Sequence, residues 1–426
     1  MRSLLLACSL GAPLGAQEAA PAPPNLIVIL VDDFGYECVG ANGGESYATP
    51  RLDRMAAEGV RFTRAYSTPL CTPSRVQLMT GRYGFRNYVR FGYLDPEERT
   101  FAQLLRSGGY ATCIVGKWQL TYGDIDPERP QQLGFDEWCL WNSREKAGSR
   151  YAGPQLDVNG EVREFPDGYG PDVTRDFAFD FLGRQKDGPF LLYWPMILTH
   201  APFERTPESG EGEQDRQANF ADMVAYTDSL VGQLLDELEE LGIAERTLVL
   251  FTGDNGTPRQ ITSRWNGEEV PGGKSFLTEA GTRVPCIAYW PGAAKPAVLD
   301  DVVDFTDVLP TLCEAAGVAP PAELVLDGRS VLPRLRGEPG DPREWIVCHY
   351  DPKWNVKGTP GRFAHDGRFK LYHDGRLFDV WRDWREAEPL SPDDEESAGA
   401  RQQLQVALDG LPAWDPPATS SRPEGK

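Results

Sequence analysis

Apolar positions follow two alternating patterns along most of the chain, continuous runs and helical stripes. Asn25–Val31 is a continuous β-branched apolar run, which is typical of a strand buried on both faces. The longest helical stripe covers 219–241 and ends before Gly242, a residue favoured just beyond a helix. Such alternation predicts a largely parallel sheet covered by helices. Further strands are predicted at 111–115, 190–194 and 247–251, and further helices at 50–58, 73–80 and 101–105.

The pattern changes after about residue 340. Short apolar segments joined by tight turns follow, at 345–349, 369–372 and 376–378. They predict a small antiparallel sheet, and the spacing at 395–408 predicts a helix after it. We therefore expect a large domain at 25–340 and a small C-terminal subdomain at 341–426, made of an antiparallel sheet plus a helix.

The N-terminus has the pattern of an export signal. A basic residue and an apolar run are followed by the small residues Gly15 and Ala16. We predict a signal peptide at 1–16 and a flexible Pro/Ala-rich leader at 17–24. The run is shorter than the about 20 residues that span a membrane, so no transmembrane segment is predicted. The expected location is periplasmic or extracellular, with lipoprotein anchoring at Cys8 as the alternative.

Composition narrows the range of partners. The chain has 43 Lys and Arg against 64 Asp and Glu, a formal net charge of −21. Nucleic-acid binding and docking on anionic membranes both need basic surface, so neither is predicted. The hydrophobic share of 40% excludes a disordered chain. The cysteines beyond Cys8 are odd in number and scattered, which does not indicate a disulfide framework.

Polar side chains recur where predicted strands end. Each has an ordinary interpretation as a turn, cap or solvated residue, and only the recurrence suggests a site at the carboxyl edge of the sheet. Three carboxylates and an amide oxygen form an oxygen-only ligand set, which suits Ca²⁺ or Mg²⁺ better than zinc. The side chains are Asp32, Asp33, Lys117, His200, Asp254 and Asn255.

The segment with the most distinctive pattern is 71–82. It reads CTPSRVQLMTGR and by itself is compatible with a buried cysteine before a helix. Its Cys-X-Pro-X-Arg pattern closely resembles the signature of the formylglycine-dependent sulfatases, in the alkaline-phosphatase-like superfamily. Other similar motifs follow the family's order, VDD at 31–33, TPRLD at 49–53, GVRFT at 59–63, GKW at 116–118, THAPF at 199–203, TGDNG at 252–256, and Lys274 ahead of EAGTRVP at 279–285. The resemblance covers about 25–335, and 363–379 more loosely resembles the family's small C-terminal domain.

The resemblance implies a fold and a chemistry. The fold would be a mixed, mainly parallel central sheet sandwiched by helices, with a small antiparallel subdomain beside the site. A separate maturation enzyme would oxidise Cys71 to formylglycine, whose hydrated form attacks the sulfur and is left carrying sulfate. The metal ligands matching the family, with Ca²⁺ favoured over Mg²⁺, are Asp32, Asp33, Cys71, Asp254 and Asn255.

The resemblance also assigns roles to the cationic residues. Arg75 would stabilise the hydrated aldehyde one helical turn from Cys71. Lys117 and Lys274 would neutralise sulfate oxygens, and His200 would donate to the ester oxygen and protonate the leaving group. The implied activity is sulfate monoester hydrolysis.

One position departs from the family pattern. Gly-Lys-Trp is followed in the family by a histidine thought to take a proton from the sulfated intermediate, but this chain has Gln119. Glutamine forms hydrogen bonds without acting as a base near neutral pH. Three interpretations remain open: a slower sulfatase, a sulfatase using water or another group, and a sulfated-glycan-binding pseudoenzyme. A phosphodiesterase or phosphonate hydrolase on the same scaffold is the alternative enzyme.

We expect a small sulfated substrate, a mono- or oligosaccharide. The basis is export together with aromatic and polar residues in segments that would line a sugar pocket, although each of these residues is also compatible with ordinary packing. They are Trp141, Arg144, Trp265, His349 and Trp354.

Overall fold

The computed structural model describes residues 22–121, 128–141, 148–212, 215–353 and 359–414. The strands are β1 (Asn25–Val31), β2 (Val60–Tyr66), β3 (Ala111–Lys117), β4 (Glu137–Trp141), β5 (Gln155–Val158), β6 (Glu161–Glu164), β7 (Phe190–Pro195), β8 (Thr247–Gly253), β9 (Thr262–Trp265), β10 (Glu268–Pro271), β11 (Arg283–Tyr289), β12 (Ala297–Asp304), β13 (Ile346–Tyr350), β14 (Gly361–His365), β15 (Phe369–Tyr372) and β16 (Leu377–Asp379). The helices are α1 (Pro50–Glu58), α2 (Cys71–Thr80), α3 (Gly84–Asn87), α4 (Phe101–Ser107), α5 (Arg129–Gln132), α6 (Gly170–Gln185), α7 (Arg216–Glu240), α8 (Glu279–Thr282), α9 (Val308–Ala316), α10 (Leu332–Leu335) and α11 (Ala398–Asp409).

Ten strands form one mixed sheet in the order β12-β2-β11-β8-β1-β7-β3-β4-β5-β6. Its five central strands, from β8 to β4 in that order, are all parallel. Antiparallel pairs occur toward both edges, where β11 joins β8 to β2 and β5 joins β4 to β6. The predicted mixed, mainly parallel sheet is confirmed.

Alternate residues of β1 belong to two separate apolar layers, which explains its continuous apolar run. Ile27 lies in the layer that contains Phe220 of α7. Val28 lies in the opposite layer, with Leu78 of α2 and Leu105 of α4. Both faces of the central sheet are therefore covered by helices, as the sequence predicts.

The small antiparallel sheet is also confirmed, with one strand more than predicted. Its four strands lie in the order β13-β14-β15-β16, and Leu404 of α11 packs against them. The missed strand β14 contains Arg362 and His365, two buried polar residues that interrupt the apolar pattern. Both have partners in the fold, because Arg362 donates to His349 and His365 bonds to Tyr66.

Helix α2 begins at Cys71, two residues before the predicted start. Leu70 is extended and its carbonyl accepts a hydrogen bond from Ser74 at 3.2 Å. Pro73 is tolerated inside this first turn because the first amides of a helix have no intrahelical acceptor. The shift places Cys71 at the positive end of the helix.

A buried group of polar residues connects the small sheet to the large one. Lys370 of β15 donates to the Leu277 carbonyl at 2.6 Å and pairs with Glu386 at 2.9 Å and Glu279 at 3.3 Å. His365 contacts the hydroxyl of Tyr66, which donates to Glu279. We call this group the inter-sheet cluster (Tyr66, Glu279, His365, Lys370 and Glu386). It fixes the loop that follows Lys274.

Two further expectations concern membrane spans and disulfides. Across the part of the chain that the structure describes, no helix combines the length and apolar character needed to cross a bilayer. The seven cysteines in that same part are free. The segments predicted as signal peptide and leader, with Cys8, lie almost wholly outside the described residues.

Candidate active site

The carboxyl ends of three of the central parallel strands supply most of the polar side chains of the candidate site. Asp32 and Asp33 follow β1, Lys117 ends β3, and Asp254 and Asn255 follow β8. Parallel strands all end at the same sheet edge, so residues distant in sequence meet there. Helix α2 adds Cys71 and Arg75, and the loops after β7 and β10 add His200 and Lys274.

Three aspartates and three cations form close ion pairs at this edge. Lys117 Nζ lies 2.6 Å from Asp32 Oδ2. Arg75 Nη2 lies 2.8 Å from Asp254 Oδ2, and Lys274 Nζ lies 2.6 Å from Asp33 Oδ2. We call these six residues the aspartate cluster (Asp32, Asp33, Arg75, Lys117, Asp254 and Lys274).

The backbone at Asp33 is held in an unusual conformation. Its φ of 60° lies in the left-handed region that non-glycine residues rarely adopt. Its amide donates to Asp254 Oδ1 at 2.9 Å, and its Oδ1 accepts from Asn255 Nδ2 at 2.9 Å. These bonds keep the strained residue in place, and such strain is concentrated at functional sites.

The aspartates have different electrostatic environments. Burial opposes ionisation of Asp32, but Lys117 and the other nearby cations outweigh it and hold the pKa of this carboxyl well below its usual range. Burial together with repulsion from Asp32 raises the pKa of Asp254, against the effect of Arg75. Crowded carboxylates of this kind are stabilised when more positive charge lies between them.

The donor atoms fit a hard divalent cation. Ligand atoms of Asp32, Asp33, Cys71 and Asp254 all lie within 4.8 Å of one another. Asp32 Oδ1 and Asn255 Oδ1 are buried without any hydrogen-bond donor. Buried oxygens rarely lack a partner unless another ligand satisfies them, and carboxylate and amide oxygens are preferred by Ca²⁺ and Mg²⁺. The buried acidic group can therefore hold a metal ion.

Cys71 is buried, and its Sγ lies 3.9 Å from Asp33 Oδ1. Burial raises the pKa of its thiol to about 12, although Lys117 and Lys274 act in the opposite direction. Since the thiolate is the nucleophilic form, an unmodified Cys71 is a poor nucleophile at neutral pH.

His200 is oriented by the backbone carbonyl of the next residue, Ala201. Its Nδ1 lies 2.7 Å from the Ala201 carbonyl, which only accepts, so Nδ1 carries a proton. Its Nε2 lies 3.8 Å from Asp33 Oδ2. Burial lowers the pKa of His200 to about 3, assisted by Lys274 and opposed by Asp32 and Asp33. The neutral ring therefore has its unprotonated Nε2 on the side of Asp33.

Comparison with known proteins identifies the family. A model described as Sulfatase matches residues 24–318. This chain belongs to the sulfatase family. It is 36% identical over 374 residues to N-acetylgalactosamine-6-sulfatase of the dog, covering 78% of this chain and 70% of that protein. It is 35% identical over 410 residues to human arylsulfatase A, covering 87% and 78%.

A solved structure, that of Ps i-CgsB, has the same fold. It has a TM-score of 0.78 at 25% identity, covering 91% of this chain and 92% of that one. As a member of this family, the protein is a hydrolase of sulfate esters. The family resemblance that the sequence motifs indicated is therefore confirmed.

The candidate site has a further cation that the sequence motifs did not predict. Arg150 Nη1 lies 3.9 Å from Asp32 Oδ2, and the guanidinium lies 4.0 Å from the ring centroid of Trp141. Register between β3 and β4 places Trp141 beside Lys117. Gln119, two residues beyond Lys117, is buried with Oε1 unpartnered. A single arginine outside any motif cannot be assigned to a site from the sequence. Only the fold shows that Arg150 lies beside Asp32.

The residues predicted to line a sugar pocket lie in several separate parts of the structure. Trp141 stacks against the guanidinium of Arg150. Trp265 packs against Tyr36 and donates to Asn42, and His349 packs against Trp414. Two others, Arg144 and Trp354, lie outside the described residues.

Proposed function

We propose that this sulfatase hydrolyses sulfate monoesters of carbohydrates, using formylglycine made from Cys71 and a Ca²⁺ ion bound by the aspartates. The observation that supports it best is the position of Cys71, at the start of α2 and among the acidic ligand atoms. The raised pKa of this buried thiol makes it a weak nucleophile at neutral pH, whereas formylglycine provides a hydroxyl nucleophile when hydrated.

The ligands we assign to Ca²⁺ are Asp32, Asp33, Asp254 and Asn255, with the modified side chain at 71. When bound there, the ion supplies Lewis-acid polarisation of a sulfate oxygen. The unpartnered oxygens of Asp32 and Asn255 both belong to this set. Mg²⁺ is the less suitable ion, because it demands near-ideal octahedral geometry and retains water.

The cations of the aspartate cluster bind and orient the sulfate group. Lys117 and Lys274 each have three ammonium hydrogens, so both can keep an aspartate contact and donate to a sulfate oxygen. Arg75 lies one helical turn after Cys71 on the same face of α2 and orients the hydrated side chain. Because Arg75 and Lys117 are buried and the Lys274 side chain is only 18% exposed, water competes little for the sulfate.

His200 is the residue that we assign to protonation of the leaving group. Its Nδ1 proton is committed to the Ala201 carbonyl, so the ring donates to the ester oxygen only when Nε2 is protonated as well. The acid role therefore requires the imidazolium form. An anionic substrate that occupies the two lysines removes part of the repulsion that disfavours this form.

The names of the relatives and the predicted N-terminal export signal support the proposed substrate class. One relative is named for a 6-sulfated N-acetylgalactosamine and another for aryl sulfates. The sequence pattern at 1–16 predicts export of the protein. A maturation enzyme would then modify Cys71 before or during secretion. A short sulfated saccharide suits the acidic surface better than a long polyanion, because repulsion grows with substrate charge.

The test begins with mass spectrometry of the peptide that contains Cys71, after co-expression with a formylglycine-generating enzyme. Conversion lowers the peptide mass by about 18 Da, the difference between CH₂SH and CHO. The modified protein is then assayed on sulfated monosaccharides, an aryl sulfate, a phosphodiester and a phosphonate. Free thiol only, or a preference for the phosphodiester, would contradict the proposal.

A second candidate function rests on Gln119. Loss of general-base help typically costs about 10²–10⁴ in rate, so a sulfated-glycan-binding pseudoenzyme is the competing interpretation. Gln119→His separates the two. Activity found only in the variant would establish the pseudoenzyme, whereas measurable turnover by the native chain would exclude it.

A further inference from the structure

Arg150 lies at the aspartate cluster without being needed to neutralise it. Each aspartate of that cluster already has a cation of its own within 2.8 Å. Arg150 Nη1 is 3.9 Å from Asp32 Oδ2, which is too far for a hydrogen bond. It is therefore a positive charge in excess of the three matched pairs.

The guanidinium is desolvated but not satisfied. The Arg150 side chain is 13% exposed, and Nη1 is buried without a hydrogen-bond acceptor. Trp141 Nε1 and Gln119 Oε1 are also buried without partners. The register of β3 and β4 pairs Lys117, the last residue of β3, with Trp141, on which Arg150 stacks.

The position of Arg150 is fixed by its neighbours. Tyr151 donates from its hydroxyl to the carbonyls of His200 and Ile197, and its own carbonyl accepts from Gly170. A Cβ at Gly170 would lie 2.1 Å from the Arg150 carbonyl, so only glycine allows this close packing. Stacking on Trp141 orients the planar guanidinium before any ligand binds.

We propose that Arg150 is a substrate-binding residue whose Nη1 donates a hydrogen bond to an oxygen of the sulfate group. This rests on the proposed function and adds a contact to the same site. An arginine fork matches the geometry of tetrahedral oxyanions and gives a strong charge-assisted bond. Arg150 thus strengthens sulfate binding beside Gln119, where the family pattern has histidine, but it does not replace the missing base.

The experiment compares wild type, Arg150→Lys and Arg150→Met in two measurements. The first is kcat and KM on a sulfate ester with the modified, calcium-loaded protein. The second is calorimetric binding of inorganic sulfate to the same variants in a Cys71→Ala background. We expect Arg150→Met to raise KM and the sulfate Kd by about 10- to 100-fold with a smaller change in kcat. Arg150→Lys should lie between the other two.

The matched control is Arg385→Met, because Arg385 also stacks on a tryptophan, Trp384, at 4.7 Å but is exposed. It should leave KM and sulfate affinity unchanged. If Arg150→Met lowers only the melting temperature and leaves KM and sulfate affinity at wild-type values, the residue is structural and the inference is overturned.

The two proposals can fail separately. Absence of sulfatase activity in the modified wild type would refute the proposed function. Weaker inorganic sulfate binding by Arg150→Met would still support the Arg150 contact in that case, and unchanged binding would overturn it.

Discussion

The aspartate cluster and the inter-sheet cluster are both buried groups of charged residues, but they differ in how completely they are satisfied. In the inter-sheet cluster both oxygens of Glu279 have partners, and Lys370 is shared among three acceptors. In the aspartate cluster Asp32 Oδ1 has no donor, and Asn255 Oδ1 beside it also has none.

This difference indicates that the inter-sheet cluster contributes to stability and the aspartate cluster to ligand binding and catalysis. A buried charge group that is fully hydrogen-bonded connects two parts of the fold and leaves nothing for a ligand. A group with orphaned oxygens and an excess cation has free energy to gain from binding. Substitutions should therefore change activity in the aspartate cluster and stability in the inter-sheet cluster.

The largest expected effect is that of Cys71→Ala. Removing the nucleophile of a serine protease lowers kcat by about 10⁶-fold, and we expect a loss of similar size here, with little change in stability because the side chain is small. Turnover of an aryl sulfate and thermal unfolding measure the two effects. Cys313→Ala, also buried but in α9, should keep full activity per folded molecule. Activity near the wild-type value in Cys71→Ala would contradict the assignment of catalysis to the site around the aspartate cluster.

Metal removal should affect the aspartate cluster alone. We expect a chelator to lower turnover on the order of 10³-fold, since charge stabilisation worth several kcal/mol is lost. Calcium at 100 times its Kd should restore about 2.7 kcal/mol of stability. Asn255→Ala should abolish this calcium-dependent stabilisation in a thermal scan. Calcium stabilisation that survives in Asn255→Ala would mean that the ion binds elsewhere.

Lys370→Met tests the inter-sheet cluster. It leaves Glu279 and Glu386 buried without their cation, so the free energy of unfolding should fall by about 3–5 kcal/mol. Urea denaturation measures this loss, and kcat at a temperature where the variant is folded should stay close to wild type. A large fall in kcat with unchanged stability would show that the two clusters are not functionally separate.

The smallest expected effect is a pH dependence from Glu279. Burial opposes its ionisation, but Lys370 and His365 hold the pKa of this carboxyl well below its usual value. Its contribution to stability is therefore complete above the unfolded pKa of about 4.3 and is lost as pH falls below that value. Unfolding free energies from pH 7 to pH 3 should show a weaker acid dependence in Glu279→Gln than in wild type.

Much of the site follows from the sequence because it lies at the ends of strands. The apolar run of β1 predicts a buried central strand, and parallel strands end together, so Asp32 and Asp254 are expected to meet. The resemblance of 71–82 to the sulfatase signature explains why Cys71 is a candidate catalytic residue. Local pattern was less informative at β14, where buried Arg362 and His365 imitate a polar loop.

The sequence alone determined the family, the fold class and the set of candidate ligands, because motifs and apolar periodicity are local properties of the chain. Only the tertiary structure decided which charged residues are satisfied. Arg150 and Lys370 look alike as isolated basic residues, yet Arg150 keeps an Nη1 without a hydrogen-bond acceptor, whereas Lys370 contacts three acceptors. Whether a buried charge binds a ligand or holds the fold together depends on contacts between segments far apart in sequence.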